Sequence, residues 1–141
     1  MTPTPEQLEV QSLARAFAEG ELRPHTADWD AAKALDDGVF ESLAELGFLG
    51  MLVPEEQGGL AFDLTTYLLV LEELARGDAT VALGVAIHNG PVTGMVVRHG
   101  SDDQKARWLP AWAPSPSPKS RPGATRRPCR PVPSGTATDG C

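Results

Sequence analysis

The stretch LAELGFLGMLVPEEQGGLAFDLTTYLLVLEELAR, residues 43–76, carries the clearest structural signals of this 141-residue chain. Its apolar residues recur at helical spacing up to Gly47 and then form a run that Pro54 and the pair Gly58–Gly59 interrupt. Asp63 follows as a helix cap, and the next residues place apolar side chains on one broad face. The stretch therefore predicts a helix, a short turn with a loop, and a second, longer helix. The broad apolar face of that longer helix comprises Leu64, Tyr67, Leu68, Leu71, Leu74 and Ala75.

Helix signals continue towards the N-terminus. Thr4, Pro5 and Gln7 have the spacing of a capping box with proline in the first turn, which predicts a helix to about Glu19 that stops at Gly20. Its apolar stripe consists of Leu8, Leu13 and Phe17. A short helix with Trp29 is expected after Pro24, and Asp36 or Asp37 is expected to cap the helix that contains Val39, Phe40, Leu43 and Leu46.

The same signals continue towards the C-terminus. Gly77 predicts a helix end, and Asp78 a cap for the next helix, ATVALGVAIHN. Pro91 predicts the first turn of a further helix, and Ser101 with Gln104 forms a second capping box. Since no run has the character of a strand, residues 1–113 are predicted to form one all-α domain of six or seven helices.

Charge and composition divide the chain near residue 113. Residues 1–113 contain 7 Lys or Arg against 18 Asp or Glu, a net charge of −11, which argues against a nucleic-acid partner. Residues 114–141 contain five basic residues against Asp139 alone, and 7 of the 13 prolines. This segment has no Leu, Ile, Phe, Met, Trp or Tyr, so it is predicted to be a disordered Pro/Arg-rich tail.

The distribution of cysteine and of apolar residues bears on localisation. Cys129 and Cys141 both lie in the tail, so a disulfide within the helical domain is excluded and a reducing compartment is favoured. The N-terminal MTPTPEQLEV has no signal-peptide pattern. The longest apolar run, ATVALGVAI, falls short of the roughly 20 residues that a membrane span needs. A soluble, cytoplasmic domain without a membrane partner is expected.

Few residues carry chemistry by pattern alone. His25, His88 and His99 lack metal-ligand spacing, and no phosphate-binding or nucleophile-elbow motif occurs, so no metal site is predicted. The pair Glu72–Glu73 fits a solvated helix face, with one carboxylate directed into a pocket as the alternative. The segment IHNGPVTG, residues 87–94, either lines a ligand cavity or caps two helix ends.

The succession of segments resembles a known family. LARAFAEGELRPHTADWD, the segment from Phe40 to Asn89, and RHGSDDQKARWLP together resemble the N-terminal helical domain of the flavin-dependent acyl-CoA dehydrogenases. The resemblance covers residues 5–112, and its most specific parts are LAELGFLGMLVPEEQGG and LVLEELAR.

This resemblance implies an enzyme of three domains, usually a homo-oligomer, that binds FAD and oxidises acyl-CoA thioesters to 2,3-enoyl-CoAs. It implies a glutamate base, hydride transfer to the flavin and an electron-transfer flavoprotein as acceptor. The N-terminal domain helps to wall the acyl-chain pocket, and the substrate-binding residues carried over are Leu68, Leu71, Glu72 and Asn89. No catalytic or cofactor-binding residue carries over to this chain, so the chain alone is expected to be inactive and not to bind FAD.

The resemblance stops after Trp112. Read one frame over, the codons of Trp112 and Ala113 must encode glycine. The codons that follow can encode the family-like segments AFALTE and GSDAAAL in place of the Pro/Arg-rich sequence. We therefore expect a frameshift near residues 111–113. The alternatives are a genuine tail that binds a polyproline-recognising partner, and a helical domain that acts as an interaction module or binds a ligand by itself.

Overall fold

A computed structural model describes residues 3–36 and 38–112 of the chain. Every regular element in these two ranges is helical, which confirms the all-α prediction and the expected six or seven helices. The predicted tail, residues 114–141, lies outside the described residues. The α-helical segments are α1 Pro5–Phe17, α2 Thr26–Ala32, α3 Gly38–Glu45, α4 Leu64–Gly77, α5 Ala79–Ile87, α6 Gly94–His99 and α7 Asp102–Trp108. Two π-turns, Ala18–Leu22 and His88–Thr93, and two 3₁₀ turns, Glu55–Gln57 and Leu109–Trp112, complete the described elements.

The predicted helix caps are present. Thr4 and Gln7 form a reciprocal capping box at α1, and Ser101 forms the equivalent box with Gln104 at α7. Asp63 and Asp78 accept main-chain hydrogen bonds at the starts of α4 and α5. At α3, Asp36 accepts a 2.8 Å bond from the N–H of Gly38, while its alternative, Asp37, lies outside the described residues. A cap is predictable because donor and acceptor are two or three residues apart.

Two predicted helix boundaries are wrong. The first helix does not stop at Gly20, because the π-turn Ala18–Leu22 carries it onward and buries Ala18 and Leu22. Pro91 does not begin a new helix: it lies inside the second π-turn, and residues Ala79–His99 form one continuous helix. Proline removes a main-chain donor and crowds the preceding turn, and the wider π-turn absorbs this disruption.

The apolar run ATVALGVAI, residues 79–87, is the first part of the longer continuous helix Ala79–His99. Its 21 residues contain a window of mean hydropathy 1.3, of which 28% is buried. By length and composition alone this helix could cross a membrane, a test that core helices of soluble proteins also pass.

The core lies where α4 packs against α1 on one side and α5 on the other. Its apolar residues are Ala14, Phe17, Ala18, Leu22, Val39, Leu43, Phe48, Met51, Tyr67, Val70, Leu74, Val81, Ala82 and Val85. The predicted stripe of α1 is partly wrong, since Phe17 is buried but Leu8 and Leu13 are about half exposed.

The buried face of α4 also differs from the prediction. Tyr67 and Leu74 are buried as expected, whereas Leu64 and Leu68 are exposed. The rest of the buried face consists of Thr66, Val70 and Glu73. Two polar residues can occupy this face because both have partners: Thr66 bonds to Asp63, and Glu73 bonds to side chains of α1.

Candidate functional site

The loop between α3 and α4 folds back on itself beside the continuous helix Ala79–His99, called the long helix below. The N–H groups of Leu60, Ala61 and Phe62 donate to the carbonyls of Gly50, Val53 and Met51, at 3.0, 2.9 and 2.7 Å respectively. These bonds join the two halves of the loop across Pro54, and Phe48, Met51 and Val53 are buried beneath it. The loop is therefore an ordered part of the domain surface.

Asn89 fastens this loop to the π-turn His88–Thr93. Its side chain is fully buried, and its Oδ1 accepts a 3.0 Å bond from the N–H of Met51. Its Nδ2 donates to the carbonyl of Phe48 at 2.8 Å and to that of Val85 at 3.1 Å. Both hydrogens on Nδ2 and one lone pair on Oδ1 are thus bound to main-chain groups, so the side-chain amide of Asn89 links the loop to the helix.

A cavity of about 380 Å³ lies beside the same π-turn. Its lining residues are Leu52, Asn89, Gly90, Pro91, Gly94, Met95, Val97, Arg98 and His99. Leu52, Pro91, Met95 and Val97 provide an apolar surface on which Pro91 and Met95 are exposed, as are Arg98 and His99 at its polar part. The volume lies at the small end of the roughly 300–1,000 Å³ typical of small-molecule sites. Of residues 87–94, Asn89, Gly90, Pro91 and Gly94 line this cavity, and the interpretation of the segment as a ligand site stays a prediction.

His88 lies next to Asn89 but does not line the cavity. Burial lowers the pKa of its imidazole, and a hydrogen bond to the main chain of Leu49 opposes that shift in part. An imidazole with a lowered pKa is neutral at pH 7, so His88 supports the loop without adding charge.

The predicted substrate-binding residues lie in two places. Leu68, Leu71 and Glu72 are on α4, and only Asn89 of the four lines the cavity. Leu68 is exposed, whereas Leu71 is partly buried against the core. Glu72 accepts a 2.6 Å bond from Arg76, with both side chains largely exposed. Their assignment to a substrate pocket stays a prediction.

Sequence reasoning missed the role of Glu73. Its side chain is 1% exposed, and Arg15 donates to it through Nη2 at 2.7 Å and Nε at 3.1 Å. Gln11 donates a further 2.8 Å bond. The hydrogen bonds from Arg15 hold the pKa of the Glu73 carboxyl below its usual range, against the opposing effect of burial. This ion pair binds α1 to α4; a carboxylate immediately before the core residue Leu74 gives no such signal in the sequence.

Sequence reasoning did not single out Gly90 and Gly94 within the segment 87–94. Their four-residue spacing, which places both on one face of an apolar helix, was the available signal. Within residues 3–36 and 38–112, no group of three or more His, Cys, Asp or Glu side chains is placed to hold a metal ion.

Solved structures with this fold define the class of domain. Residues of this chain superpose on butyryl-CoA dehydrogenase from Megasphaera elsdenii with a TM-score of 0.75 and 27% identity, covering 81% of this chain and 30% of that one. Glutaryl-CoA dehydrogenase from Mycobacterium smegmatis, solved with FADH2, gives a TM-score of 0.75 at 25% identity over 79% of this chain and 29% of that one. The fold is that of a helical domain found in acyl-CoA dehydrogenases.

Sequence comparison gives the family. The model for the acyl-CoA dehydrogenase N-terminal domain matches residues 4–115. The short/branched chain specific acyl-CoA dehydrogenase of Bos taurus is 31% identical over 112 residues, 79% of this chain. This chain belongs to the acyl-CoA dehydrogenase family. It spans about a quarter of the length of that relative, 26%.

Proposed function

We propose that this chain is the N-terminal helical domain of a flavin-dependent acyl-CoA dehydrogenase and that it helps to wall the acyl-chain pocket. The parent reaction is α,β-dehydrogenation of an acyl-CoA thioester with FAD as the hydride acceptor. The observation that carries this proposal is the apolar cavity of about 380 Å³ on a chain of this family. An apolar wall excludes water from the reacting carbon atoms, which suits hydride transfer.

We assign the predicted site residues to the pocket wall in two groups. Leu68, Leu71 and Glu72 lie together on α4, outside the lining of the 380 Å³ cavity, and would form a separate part of the wall in which Leu68 offers an exposed apolar side chain. Asn89 acts indirectly, because its amide holds the loop containing Leu52 against the long helix. The wall therefore needs Asn89 even though its polar atoms serve the main chain.

The chain alone is proposed to be inactive and not to bind FAD. The cavities of about 380, 210 and 170 Å³ are small for FAD, which is larger than most drug-sized ligands. The amide of Asn89 has no hydrogen left to offer a flavin ring. Both observations support the proposal that the described residues do not hold the cofactor by themselves. FAD, the electron-transfer flavoprotein and homo-oligomer contacts are proposed to belong to the parent enzyme, in the cytoplasm, without membrane or nucleic-acid partners.

A domain exchange tests the role in the parent enzyme. Residues 4–112 would replace the corresponding domain of butyryl-CoA dehydrogenase, and the hybrid would be assayed for bound flavin and for dye reduction by acyl-CoA. We expect both, and we expect the 141-residue chain itself to show neither. A folded hybrid that holds flavin but oxidises no acyl-CoA of any length would contradict the wall function; a yellow, active 141-residue chain would contradict its inactivity.

We also propose that the amino-acid sequence after Trp112 results from a frameshift near residues 111–113. The family match ends at residue 115, close to that point, which supports the proposal. Resequencing the gene across codons 108–141 tests it: the expected result is a GSDAA-like segment in another frame. Nucleotides that encode no such segment in any frame would reject the frameshift.

The alternative function is a non-catalytic interaction module that docks on a full-length relative. The observation favouring it is a set of exposed apolar side chains on the helical surface. They include Leu64, Leu68, Leu83, Ile87 and Met95. Specific capture of a full-length relative by the tagged 141-residue chain, lost on replacing Leu83 by Lys, would support this alternative over the enzyme-fragment interpretation.

A further inference from the structure

A second cavity, of about 210 Å³, lies between the π-turn Ala18–Leu22, helix α2 and the start of α3, and is called the α2 cleft below. Aromatic rings and carboxylates line it, from Phe17, His25, Trp29, Glu21 and Asp36. It shares no lining residue with the cavity beside the long helix, so the two are separate. Its volume is below the roughly 300–1,000 Å³ of drug-sized sites, which suits one charged group with a short aliphatic stem.

The aromatic part of the α2 cleft is held in place by the fold. Phe17 is buried, and Trp29 is partly buried against the core. The ring of His25 lies beside Trp29, with a centroid separation of 5.6 Å and an interplanar angle of 31°. The hydroxyl of Thr26, between them in sequence, donates to the carbonyl of Gly77 at 3.1 Å and so ties this segment to α4. The cleft therefore contains an indole, the ring that attracts cations most strongly.

Two carboxylates of the α2 cleft have free acceptor capacity. Within the described part of the chain, the side chain of Glu21 has no hydrogen bond or ion pair. Asp36 uses Oδ1 to accept the 2.8 Å bond from the N–H of Gly38, which leaves Oδ2 for a ligand. Glu21, His25 and Asp36 do not form a metal site, since no group of three such side chains in residues 3–36 and 38–112 is placed to hold an ion. The cleft therefore suits an organic cation.

The surroundings of the α2 cleft also favour a cation. Residues 17–45 contain 8 Asp or Glu against 2 Lys or Arg, which is more than half of the negative charge balance of residues 1–113. Of the two basic residues, Lys33 is paired with Asp30 at 3.0 Å, and Arg23 does not line the cleft. A concentration of one sign of charge around a cleft draws in ligands of the opposite sign.

We propose that the α2 cleft binds a guanidinium group, which stacks on Trp29 and donates hydrogen bonds to Glu21 and Asp36. A guanidinium ion is planar, carries five donors and is weakly hydrated, so it can stack on an indole and reach two carboxylates at once. A compact, strongly hydrated ammonium ion fits this combination less well. The site is independent of the proposed dehydrogenase function.

The guanidinium group comes either from a free guanidino compound or from an arginine of residues 114–141. That segment contains Arg121, Arg126, Arg127 and Arg130. The 18 residues from Trp112 to Arg130 span up to about 60 Å, whereas a domain of this length has a radius of gyration of about 13 Å. Either source therefore reaches the cleft.

Heteronuclear NMR of the full 141-residue chain tests the proposal, because the indole N–H signal of Trp29 reports on the cleft. The probe is Nα-acetyl-arginine amide, and its uncharged citrulline analogue is the reference. The arginine probe should shift this signal with a Kd in the millimolar range, at least about tenfold tighter than citrulline, since two partly exposed ion pairs are at stake. The lysine analogue should bind more weakly than the arginine probe. Trp29→Phe assigns the signal, and Trp108, outside the cleft, is the internal control.

Variants of the carboxylates locate the site. Glu21→Gln and Asp36→Asn should each weaken binding of the arginine probe about threefold, the effect of one partly exposed ion pair. Asn keeps the side-chain acceptor for the N–H of Gly38, so Asp36→Asn should stay folded. Glu41→Gln is the matched control, because Glu41 is an exposed carboxylate of α3 that does not line the cleft, and its Kd should equal that of the wild-type chain.

A neutral-tail chain, with Lys119 and the four tail arginines replaced by Gln, distinguishes the two sources. If a tail arginine fills the cleft, the Trp29 signal moves in this chain without probe, and the probe binds more tightly than to the wild-type chain. If the ligand is a free compound, both signal and Kd stay as in the wild-type chain. Two results would overturn the proposal: an arginine probe that binds no more tightly than citrulline in either chain, or folded Glu21→Gln and Asp36→Asn that bind the probe as well as Glu41→Gln does.

Discussion

Arg15 on α1 donates two hydrogen bonds to the carboxylate of Glu73 on α4, from Nη2 to Oε1 at 2.7 Å and from Nε to Oε2 at 3.1 Å. The carboxylate is buried, while the side chain of Arg15 is 49% exposed. Because the contact is bidentate, it restrains the relative orientation of the two side chains in addition to the attraction between their charges. It fixes how α1 lies on α4, the central helix of the core.

Replacing Glu73 by Gln should lower the free energy of unfolding by about 2 kcal/mol, because the buried pair loses its charge-assisted hydrogen bonds. The neighbouring Glu72→Gln is the matched control, since the pair Glu72–Arg76 is exposed and should contribute less than about 1 kcal/mol. Urea unfolding followed by circular dichroism measures both. Equal losses in the two variants would show that burial does not distinguish these carboxylates.

The Glu73 pair should also make stability depend on acid. The pKa of this carboxyl is lower in the folded chain than its ordinary value of about 4.3. Its contribution is therefore fully present above that value and is lost as the pH falls through the folded pKa.

Unfolding of the wild-type chain and Glu73→Gln at several pH values isolates this effect. Asp63, whose pKa is lowered mainly by hydrogen bonds from Thr66, titrates in both proteins and cancels. The stability difference should be constant above about pH 5.5 and shrink below about pH 4. A difference that grows towards low pH would mean that the carboxylate destabilises the fold.

Asn89→Ala should release the loop between α3 and α4. The variant leaves the N–H of Met51 and the carbonyl of Phe48 without their side-chain partner, which should cost about 3 kcal/mol together with the small cavity created. Hydrogen exchange with mass spectrometry should show faster exchange at residues 46–62. Helix α1 is the internal control, and equal acceleration there would indicate global loosening instead.

Thr93→Val should be neutral or should stabilise the chain by up to about 1 kcal/mol. The hydroxyl of Thr93 is fully buried and has no hydrogen-bond partner among the described residues, so removing it relieves a desolvation cost. Thr66→Val is the contrast, because the buried Thr66 hydroxyl donates to Asp63 and its loss should cost about 1 kcal/mol. A loss at Thr93 as large as that at Thr66 would imply a partner for its hydroxyl.

Local signals explain which parts of the fold were predictable from sequence. The caps at Thr4, Asp63, Asp78 and Ser101 depend on residues a few positions apart, and all four are present. Glu73 is buried in a pair with Arg15, which is 58 residues away in sequence. Periodicity within α4 cannot reveal such a distant partner, and it predicts burial of Leu64 and Leu68, which are exposed.

The same distinction applies to the candidate site. A polar pair and Gly-Pro interrupt the apolar run in residues 87–94, and four of these residues, Asn89, Gly90, Pro91 and Gly94, line a cavity. The sequence predicts a helix start at Pro91, because proline is favoured in the first turn and costly inside a helix, and no local pattern indicates a π-turn. The cavity depends on how the loop residue Leu52 packs beside the helix, which no local pattern in the sequence encodes.

The π-turn His88–Thr93 has a consequence for the evolution of this helix. A π-turn contains one residue more than the α-helical path it replaces, so deleting a single residue there would restore ordinary α geometry. Such a deletion would leave α6 in its present place, with Met95 and Arg98 still beside Leu52 in the cavity lining, because a π-turn and an α-helical turn cover about the same rotation. A one-residue deletion inside α5 or α6, which have no extra residue to lose, would instead rotate the helix face that follows by about 100°. The π-turn is thus the place in this helix where the chain can change length by one residue without turning the face that α6 presents.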